Sequence, residues 1–224
     1  MKRELIDTKD GSKTLLIKDL EETYHSKHGA LQEAIHVFIK NGINLINDCE
    51  INILELGFGT GLNVLVTFDE YLRNDKNHNI NYFGIEKYPI FLQEAAELSY
   101  SELFPNKILK DLSLKIHETE WEKPVKIDDN FTLTKIKDDF FNIKNLNLPL
   151  IDIVYFDCFG ARVQPDLWEQ EIFEIVASKM KTGGLLTTYA SKGSVRRILK
   201  ELNFEVEKKQ GPPGKREMIN AWKK

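Results

Sequence analysis

The sequence predicts an α/β protein with a mainly parallel seven-stranded sheet that ends in an antiparallel hairpin. Three observations predict this fold. Short apolar runs alternate with stretches of helical periodicity, which is typical of a parallel sheet with helices on both faces. The most apolar run, at 151–157, is the pattern of a central strand buried on both sides. Two β-rich runs near residue 224 flank a glycine and proline turn at 211–214, which indicates a closing hairpin.

The alternation begins after a lead-in of about fifty residues, in which a short strand is expected at 14–17 and a helix at 29–40. The core strands are expected at 51–56, 80–86, 131–136, 151–157, 185–190, 204–209 and 217–222. The core helices are expected to begin at residue 62 and to cover 90–100, 168–180 and 193–202. Residues 101–130 are expected to be irregular, with one short helix. We expect one domain over 1–224, comprising the lead-in 1–50 and a core at 51–224.

Composition excludes several classes of protein. Hydrophobic residues make up 42% and charged residues 29% of the 224 residues, as in ordinary globular proteins. No apolar run approaches the roughly 18 residues that cross a membrane. The two cysteines, Cys49 and Cys158, form neither a disulfide framework nor a zinc pattern. We therefore expect a cytoplasmic protein without a metal or a membrane partner, and we favour a monomer.

Charge is distributed unevenly along the chain. The net charge is −4, but from residue 179 onward twelve lysines and arginines face only four acidic residues. This basic C-terminal region could form a face that binds phosphates. An ordinary solvated surface is the alternative.

A glycine-rich loop follows the first core strand. Residues 55–63 read Glu-Leu-Gly-Phe-Gly-Thr-Gly-Leu-Asn, with glycines at 57, 59 and 61. Enzymes that bind dinucleotides favour G-x-G-x-x-G, and here the third glycine comes one residue early. A G-x-G-x-G loop after an acidic strand end suits S-adenosylmethionine, which has no pyrophosphate to hold. With the closing hairpin, it predicts a Rossmann-like class I S-adenosylmethionine methyltransferase fold, although a plain strand-to-helix turn is the alternative.

Acidic residues stand at the ends of the following strands. Glu86 could accept hydrogen bonds from both ribose hydroxyls, and Asp138 of the Asp138-Asp139 pair could accept one from the adenine amino group. Exposed strand-end acids are the alternative for both. Asp157 ends the central strand, where it could orient an amine nucleophile and accept its surplus proton. A capping aspartate is the alternative there.

Three of the five histidines lie within twelve positions, in Tyr24–Gly29 and at His36. No cysteine or spaced carboxylate completes a metal site around them. We expect this segment to be a loop that faces the substrate.

Several of these segments together resemble the MnmC-type tRNA methyltransferases. The similarity is carried by Tyr24–Glu33 and His36–Ile39, by 57–63 and 84–89, and by the segment Asp157–Trp168, which resembles D-G-F-A-P-x-x-x-P-D-x-W. Residues 191–197 and 214–218 match near the end. The resemblance therefore runs from about residue 10 to the C-terminus.

The resemblance implies methylation of the amine of 5-aminomethyl-(2-thio)uridine at the tRNA wobble position. Many members carry an additional FAD-dependent oxidoreductase, which this chain is too short to include, so we expect the stand-alone methyltransferase form. The implied cofactor residues are Glu55, Gly57, Gly59, Gly61, Asn63, Glu86, Lys87, Asp138 and Asp157, and Asp157 is the implied catalytic residue. The implied substrate residues are Tyr24, His25, His28 and Phe159 around the base, and Lys192, Arg196, Arg197, Lys215 and Arg216 on tRNA phosphates.

One segment departs from the family pattern. Where the family continues from the aspartate as Gly-Phe-Ala-Pro, this chain has Cys158-Phe159-Gly160-Ala161. A glycine therefore replaces part of a rigid turn beside the expected amine site. Two other functions stay open: a methyltransferase acting on a small-molecule or protein amine, and a non-catalytic RNA-binding adaptor. A nicotinamide enzyme disagrees with the glycine spacing.

Overall fold

The computed structural model describes residues 2–74 and 77–224, and within them the strands form two sheets. The first is a small antiparallel sheet of β1 (Arg3–Asp7), β2 (Lys13–Ile17) and β3 (Glu22–Thr23). The strand expected at 14–17 is β2, and its two partners were not expected. Both partners are short and mostly polar, so they lack the apolar run that marks a buried strand.

A helix follows the small sheet and covers one face of the core. It begins as α1 (Ala30–Ala34) and continues as a π-helical segment over Ile35–Lys40, which confirms the helix expected at 29–40. Val37 and Phe38 are buried, and the Phe38 ring lies 4.9 Å from that of Tyr155 in the central strand. The lead-in thus shares its hydrophobic core with the main sheet.

The main sheet contains eight strands within the described ranges. They are β4 (Glu50–Leu56), β5 (Asn79–Ile85), β6 (Pro124–Asp128), β7 (Phe131–Ile136), β8 (Ile151–Phe156), β9 (Met180–Thr188), β10 (Phe204–Gln210) and β11 (Glu217–Lys223). Their order is β10-β11-β9-β8-β4-β5-β7-β6. The five strands from β9 to β7 run parallel, whereas β6, β10 and β11 pair antiparallel.

The alternation of side chains along the strands explains the layers. All six residues of β8 are buried; Ile153 and Tyr155 belong to one core cluster, while Val154 and Phe156 belong to the other. Helices α2 (Leu62–Arg73) and α4 (Lys107–Glu118) pack on the first face. Helices α5 (Gln170–Lys179) and α6 (Gly193–Glu201) pack on the second. Helix α3 (Leu92–Leu98) is shorter than the expected 90–100.

The expectation of seven core strands was wrong, and the segment 101–130, expected to be irregular with one short helix, is more ordered than expected. That segment contains the twelve-residue helix α4 and the edge strand β6. Leu109, Leu112 and Ile116 are spaced so that they lie on one buried face of α4, and charged residues between them obscure the pattern. β6 pairs only with β7 at the sheet edge, so it needs no continuous apolar run.

The strand order places the candidate site. From β4 the chain first adds β5 and β7 on one side, and later adds β8 and β9 on the other. The connections therefore leave the carboxyl ends of β4 and β8 in opposite directions. Such a reversal opens a crevice above the sheet, where ligands of open α/β sheets bind.

Candidate active site

A cavity of about 320 Å³ lies at this crevice. It is lined by the segments that follow four parallel strands: Gly57–Asn63 after β4, Glu86–Tyr88 after β5, Asp139–Phe141 after β7 and Asp157–Phe159 after β8. Gly61 is absent from this lining. Four separate strand ends thus converge on one space, which we call the cofactor cavity.

The glycine loop has a backbone that other residues would not adopt easily. Gly57 has a φ of +98°, and a Cβ at this position would lie 2.6 Å from the Asp157 carbonyl oxygen. The Gly57 and Phe58 amides both donate to the Ile85 carbonyl, which ties the loop to β5. Gly61 also has a positive φ, but it does not line the cavity. It packs against the side chains of Ile116 and His117. It therefore shapes the turn into α2.

Glu86 closes the cavity at the end of β5. Its carboxylate accepts hydrogen bonds from the amides of Gly59, at 3.0 Å, and Tyr88, at 2.8 Å. Burial raises the pKa of this carboxyl, and the backbone hydrogen bonds oppose the rise. One carboxylate thus fixes both the glycine loop and the segment after β5.

The structure differs from the expectation at Asp138. Asp139 lines the cavity, where it accepts a 2.6 Å hydrogen bond from the Lys87 ammonium and caps the following turn through the Phe141 amide. Asp138 is not on the cavity, because its carboxylate accepts from the Asn142 side chain and the Asp139 amide. The side chain after β7 that faces the cavity is therefore Asp139. Lys87 lies on the cavity as expected.

Asp157 shares a single amide group with a second carboxyl. The Asn63 side-chain Nδ2 donates to Asp157 Oδ2 and to Glu55 Oε1, each at 2.8 Å. Desolvation raises the pKa of Asp157 to about 7 and that of Glu55 to about 8, and the hydrogen bonds from Asn63 oppose both rises. Glu55 is fully buried and does not line the cavity, so it lies behind Asn63 and supports it.

A second cavity, of about 260 Å³, adjoins the first and shares Tyr24, His25, Asp157, Cys158 and Phe159 with it. We call it the acceptor cavity. Tyr24, Phe159 and Tyr189 line it, and the rings of Tyr24 and Phe159 meet edge to face at 5.1 Å. The Tyr189 hydroxyl donates to the Cys158 carbonyl at 2.8 Å, which fixes that ring beside the loop after β8. Asp157 lines both cavities and therefore stands where they meet.

An ion pair completes the acceptor cavity. The Lys215 ammonium lies 2.5 Å from Glu33 Oε1 and 3.6 Å from the centroid of the Tyr189 ring. Lys215 was expected to be a surface contact for phosphate. The structure instead directs it to Glu33, because the turn between β10 and β11 folds over α1.

The two histidines expected at the substrate differ in position. His25 lines both cavities, and its ring nitrogens lie within hydrogen-bonding distance of the Thr14 and Thr60 hydroxyls, at 3.1 and 3.3 Å. Desolvation lowers its pKa to about 4, so the ring is neutral at physiological pH. His28 is exposed and lines neither cavity; its ring lies against Gly214. The expectation for His28 is therefore not met by the geometry.

An outer groove of about 490 Å³ shares Gly160, Tyr189 and Lys215 with the acceptor cavity. Lys192 and Arg216 line this groove and are exposed. Arg197 is exposed on α6, whereas Arg196 is only half-exposed. Lys192 and Arg216 thus lie on a groove that adjoins the acceptor cavity.

Sequence reasoning missed several residues of the site. Those on the two cavities include Glu33, Thr60, Asp139, Phe140, Phe141 and Tyr189. Tyr189 directly follows β9, so the rule that ligands bind at carboxyl strand ends could have identified it. Glu33 lies inside a helix, and no local signal relates it to the site.

Within residues 2–74 and 77–224, no helix combines the length and apolar character needed to cross a membrane. No three histidine, cysteine, aspartate or glutamate side chains in those ranges are grouped as metal ligands would be.

Comparisons with known proteins agree with this geometry. A protein from Burkholderia mallei called "tRNA 5-methylaminomethyl-2-thiouridine biosynthesis bifunctional protein MnmC" is 33% identical over 217 residues, covering 88% of this chain and 32% of the relative. A protein of the same name from Leptospira borgpetersenii is 29% identical over 226 residues, covering 90% of this chain and 32% of the relative. The chain thus spans about a third of the length of the curated relatives it matches. The resemblance to MnmC-type proteins is confirmed.

A solved structure and a family profile extend the comparison. The crystal structure of MnmC2 from Aquifex aeolicus superposes with a TM-score of 0.82 at 25% identity, covering 100% of this chain and 70% of the other. This similarity confirms the predicted fold class. Residues 102–224, more than half of the chain, match the family described as S-adenosyl-L-methionine-dependent methyltransferase. The chain therefore belongs to the S-adenosyl-L-methionine-dependent methyltransferases.

Proposed function

We propose that this protein transfers a methyl group from S-adenosylmethionine to the amine of 5-aminomethyl-(2-thio)uridine at the wobble position of tRNA. The product would be the 5-methylaminomethyl nucleoside. The observation that carries the proposal is the position of Asp157, which lines both the cofactor cavity and an aromatic acceptor cavity. The printed names of the relatives from Burkholderia mallei and Leptospira borgpetersenii support the choice of nucleoside.

The cofactor cavity fits S-adenosylmethionine. A Cβ at Gly57 would collide with the Asp157 carbonyl oxygen. Because glycine has no Cβ, the loop can pack against the segment after β8 and leave its backbone accessible to a ligand. We assign the ribose hydroxyls to Glu86, whose carboxylate is already fixed by two amides. We assign the adenine side to Asp139 and the rings of Phe140 and Phe141, which replace Asp138 in this role.

Asp157 is the proposed base. S-adenosylmethionine, when bound, supplies an electrophilic methyl group on a sulfonium. The acceptor nitrogen needs a free lone pair, and a carboxylate beside it can orient its N–H bonds. Methyl transfer would form the N–C bond and break the S–C bond with its electron pair left on sulfur, and Asp157 would accept the surplus proton. A pKa of about 7 suits this task because the group is close to half-ionised at neutral pH.

Exposed basic residues are the proposed contacts for the RNA backbone. Lys192 and Arg216 line the outer groove, and Arg197 is exposed on α6. Phosphate contacts orient a nucleic acid without reading its sequence. They would hold the anticodon loop while a single base enters the acceptor cavity.

We further propose that residues 1–50 and 51–224 work as one domain, in the cytoplasm, and as a monomer. Tyr24 and Glu33 of the lead-in line the same cavity as Asp157 and Tyr189 of the core. Both cavities are built from residues of one chain, so no second copy is needed to complete them.

The test is transfer of labelled methyl from S-adenosylmethionine to tRNA from cells that lack this enzyme. Label in the wobble uridine that is lost in Asp157→Ala would support both the reaction and the base. Methylation of free amines without RNA would favour a small-molecule or protein amine as substrate. RNA binding without any cofactor binding would favour a non-catalytic adaptor. Either of these two outcomes would overturn the proposed function.

A further inference from the structure

Lys215 is held more firmly than a surface lysine. Its ammonium contacts the Glu33 carboxylate and lies over the face of the Tyr189 ring, and only 33% of its side chain is exposed. Contact with a carboxylate and stacking on an aromatic face both restrain the ammonium. The side chain thus has one preferred position, at the wall that the acceptor cavity shares with the outer groove.

Glu33 is the reason for this fixed position. Its side chain is only 10% exposed, and its Oε2 accepts a 3.0 Å hydrogen bond from the Ser26 amide. A buried carboxylate is costly unless a cation pairs with it. Glu33 therefore retains Lys215 beside the cavity, whereas a lysine that only contacts phosphates would need no buried partner.

The acceptor cavity offers aromatic rings, three carboxyl groups and one fixed cation, the Lys215 ammonium. Its volume of about 260 Å³ lies below the ~300 Å³ at which pockets for drug-sized ligands begin, so it suits a single ring. Tyr24 and Phe159 supply aromatic surface on which a planar base can stack. An ammonium has three N–H donors, and Glu33 occupies one of them. At least one donor is left for a bound ring.

We propose that Lys215 is a specificity-determining residue that donates a hydrogen bond to the exocyclic oxygen next to the acceptor amine, and so selects uracil over cytosine. This inference rests on the proposed function. In a 5-aminomethyluracil, the O4 acceptor is on C4, next to the ring carbon C5 that bears the aminomethyl group. Cytosine has an amino group at that position, which would direct N–H donors toward an ammonium. A site built to donate to one ring edge discriminates strongly against an edge that cannot accept.

Arg216 provides a matched comparison. It is the next residue in the chain and also basic, but it is exposed and lines only the outer groove. If Lys215 contacts the base while Arg216 contacts phosphate, replacing each residue should change the salt dependence of RNA affinity differently. Removing one phosphate contact lowers the slope of log affinity against log salt by about 0.7 for single-stranded RNA, whereas removing a contact to a base leaves the slope unchanged.

The experiment compares Lys215→Met with Arg216→Met. The substrates are two anticodon stem-loop RNAs, with 5-aminomethyluridine or 5-aminomethylcytidine at the wobble position, assayed for kcat/KM at several salt concentrations. We expect Lys215→Met to lower kcat/KM on the uridine RNA by about 10- to 100-fold and to lose the preference for uridine, with an unchanged salt slope. Arg216→Met should reduce the slope and keep the preference.

A third variant accounts for stability. Lys215→Met leaves the Glu33 charge unpaired, so the double variant Glu33→Gln/Lys215→Met removes both charges and should melt closer to the wild type. It should still lack the preference for uridine. A Lys215→Met enzyme that keeps the preference for uridine but has a reduced salt slope would overturn the inference. That result would indicate that Lys215 contacts a phosphate. Failure of the wild type to methylate either RNA would instead overturn the proposed function, and the role of Lys215 with it.

Discussion

Asn63 donates hydrogen bonds from one amide nitrogen to Asp157 and to Glu55, at 2.8 Å to each. The two carboxyls lie where burial raises the pKa to about 7 and about 8, respectively. An amide that donates to both stabilises their ionised forms and keeps the Asp157 side chain directed at the junction of the two cavities. Asn63 is therefore a positioning residue as well as part of the cofactor cavity.

Replacing Asn63 by alanine should shift the pH dependence of methyl transfer. Asp157 acts as a base only when ionised, so wild-type kcat should rise with pH through about 7. Loss of the Asn63 hydrogen bond removes a stabiliser of the ionised form, and the midpoint should move upward by roughly one pH unit. The profile is measured at saturating substrate.

The control is Asn220→Ala, which removes another buried asparagine. Asn220 lies in β11 and lines neither cavity, and its side chain donates to the Asn41 carbonyl. This replacement should lower stability without moving the midpoint. An unchanged midpoint in Asn63→Ala would show that Asn63 acts only through cofactor binding.

Asp157→Asn should make the protein more stable at high pH while it inactivates the enzyme. The pKa of Asp157 is raised in the folded state, so between pH 4 and 7 the folded form binds more protons than the unfolded form and stability falls as pH rises. Asparagine removes this loss. At about 1.4 kcal/mol per pKa unit, the gain at pH 8 has an upper bound of roughly 4 kcal/mol. Little difference is expected at pH 4.

Urea unfolding at pH 4 and pH 8 measures this effect, and kcat should fall at least 100-fold, as is common when a general base is lost. Equal changes in stability at both pH values would contradict the raised pKa.

Comparing Gly57→Ala with Gly183→Ala should distinguish the effect of backbone strain at a positive φ from the effect of a steric clash by the new Cβ. Both glycines have a positive φ, +98° and +80°, so alanine should destabilise the protein by about 1–2 kcal/mol at either position. Only at Gly57 would the new Cβ meet another atom, the Asp157 carbonyl oxygen; Gly183 has open space within 4 Å. We expect only Gly57→Ala to lose affinity for S-adenosylmethionine, as measured by calorimetry. Equal losses in both variants would mean that the loop is not part of the cofactor site.

Replacing Lys192 and Arg197 by alanine should weaken binding to RNA in a manner that depends on salt. If each contacts one phosphate, the slope of log affinity against log salt should fall by about 1.4 in the double variant. The control is the double variant Lys123→Ala and Lys126→Ala, which removes the same charge at or beside β6, on the opposite edge of the sheet. A similar change of slope in both would indicate a general charge effect and contradict a local RNA surface.

The sequence allowed the strands of the core and their carboxyl ends to be predicted, because a buried parallel strand needs an apolar run and a ligand loop needs glycine. It did not reveal which of Asp138 and Asp139 faces the cavity. That choice depends on a few backbone angles after β7, and both side chains have similar capping chemistry.

Contacts between distant parts of the chain were also beyond sequence reasoning. Glu33 and Lys215 are 182 residues apart, and nothing in either local segment indicates their pairing. The pairing depends on the turn after β10 reaching α1, which is decided by the packing of the whole fold. Edge strands such as β6 and β1 were missed for a related reason, since strands exposed to water tolerate almost any polar residue.

The place of β11 in the sheet has a consequence for biosynthesis. β11 lies between β9 and β10 and pairs with both, so β10 has no sheet partner until residues 217–223 are available. During translation, β10 leaves the exit tunnel before β11. Its backbone therefore stays without a strand partner until β11 has been translated and has emerged. The nascent chain should therefore assemble the glycine loop and its neighbouring strands first, and gain the Lys215 side of the acceptor cavity only after residues 217–223 have left the exit tunnel. A premature stop codon in this region would thus yield a protein with its cofactor cavity largely assembled and an incomplete site for the acceptor.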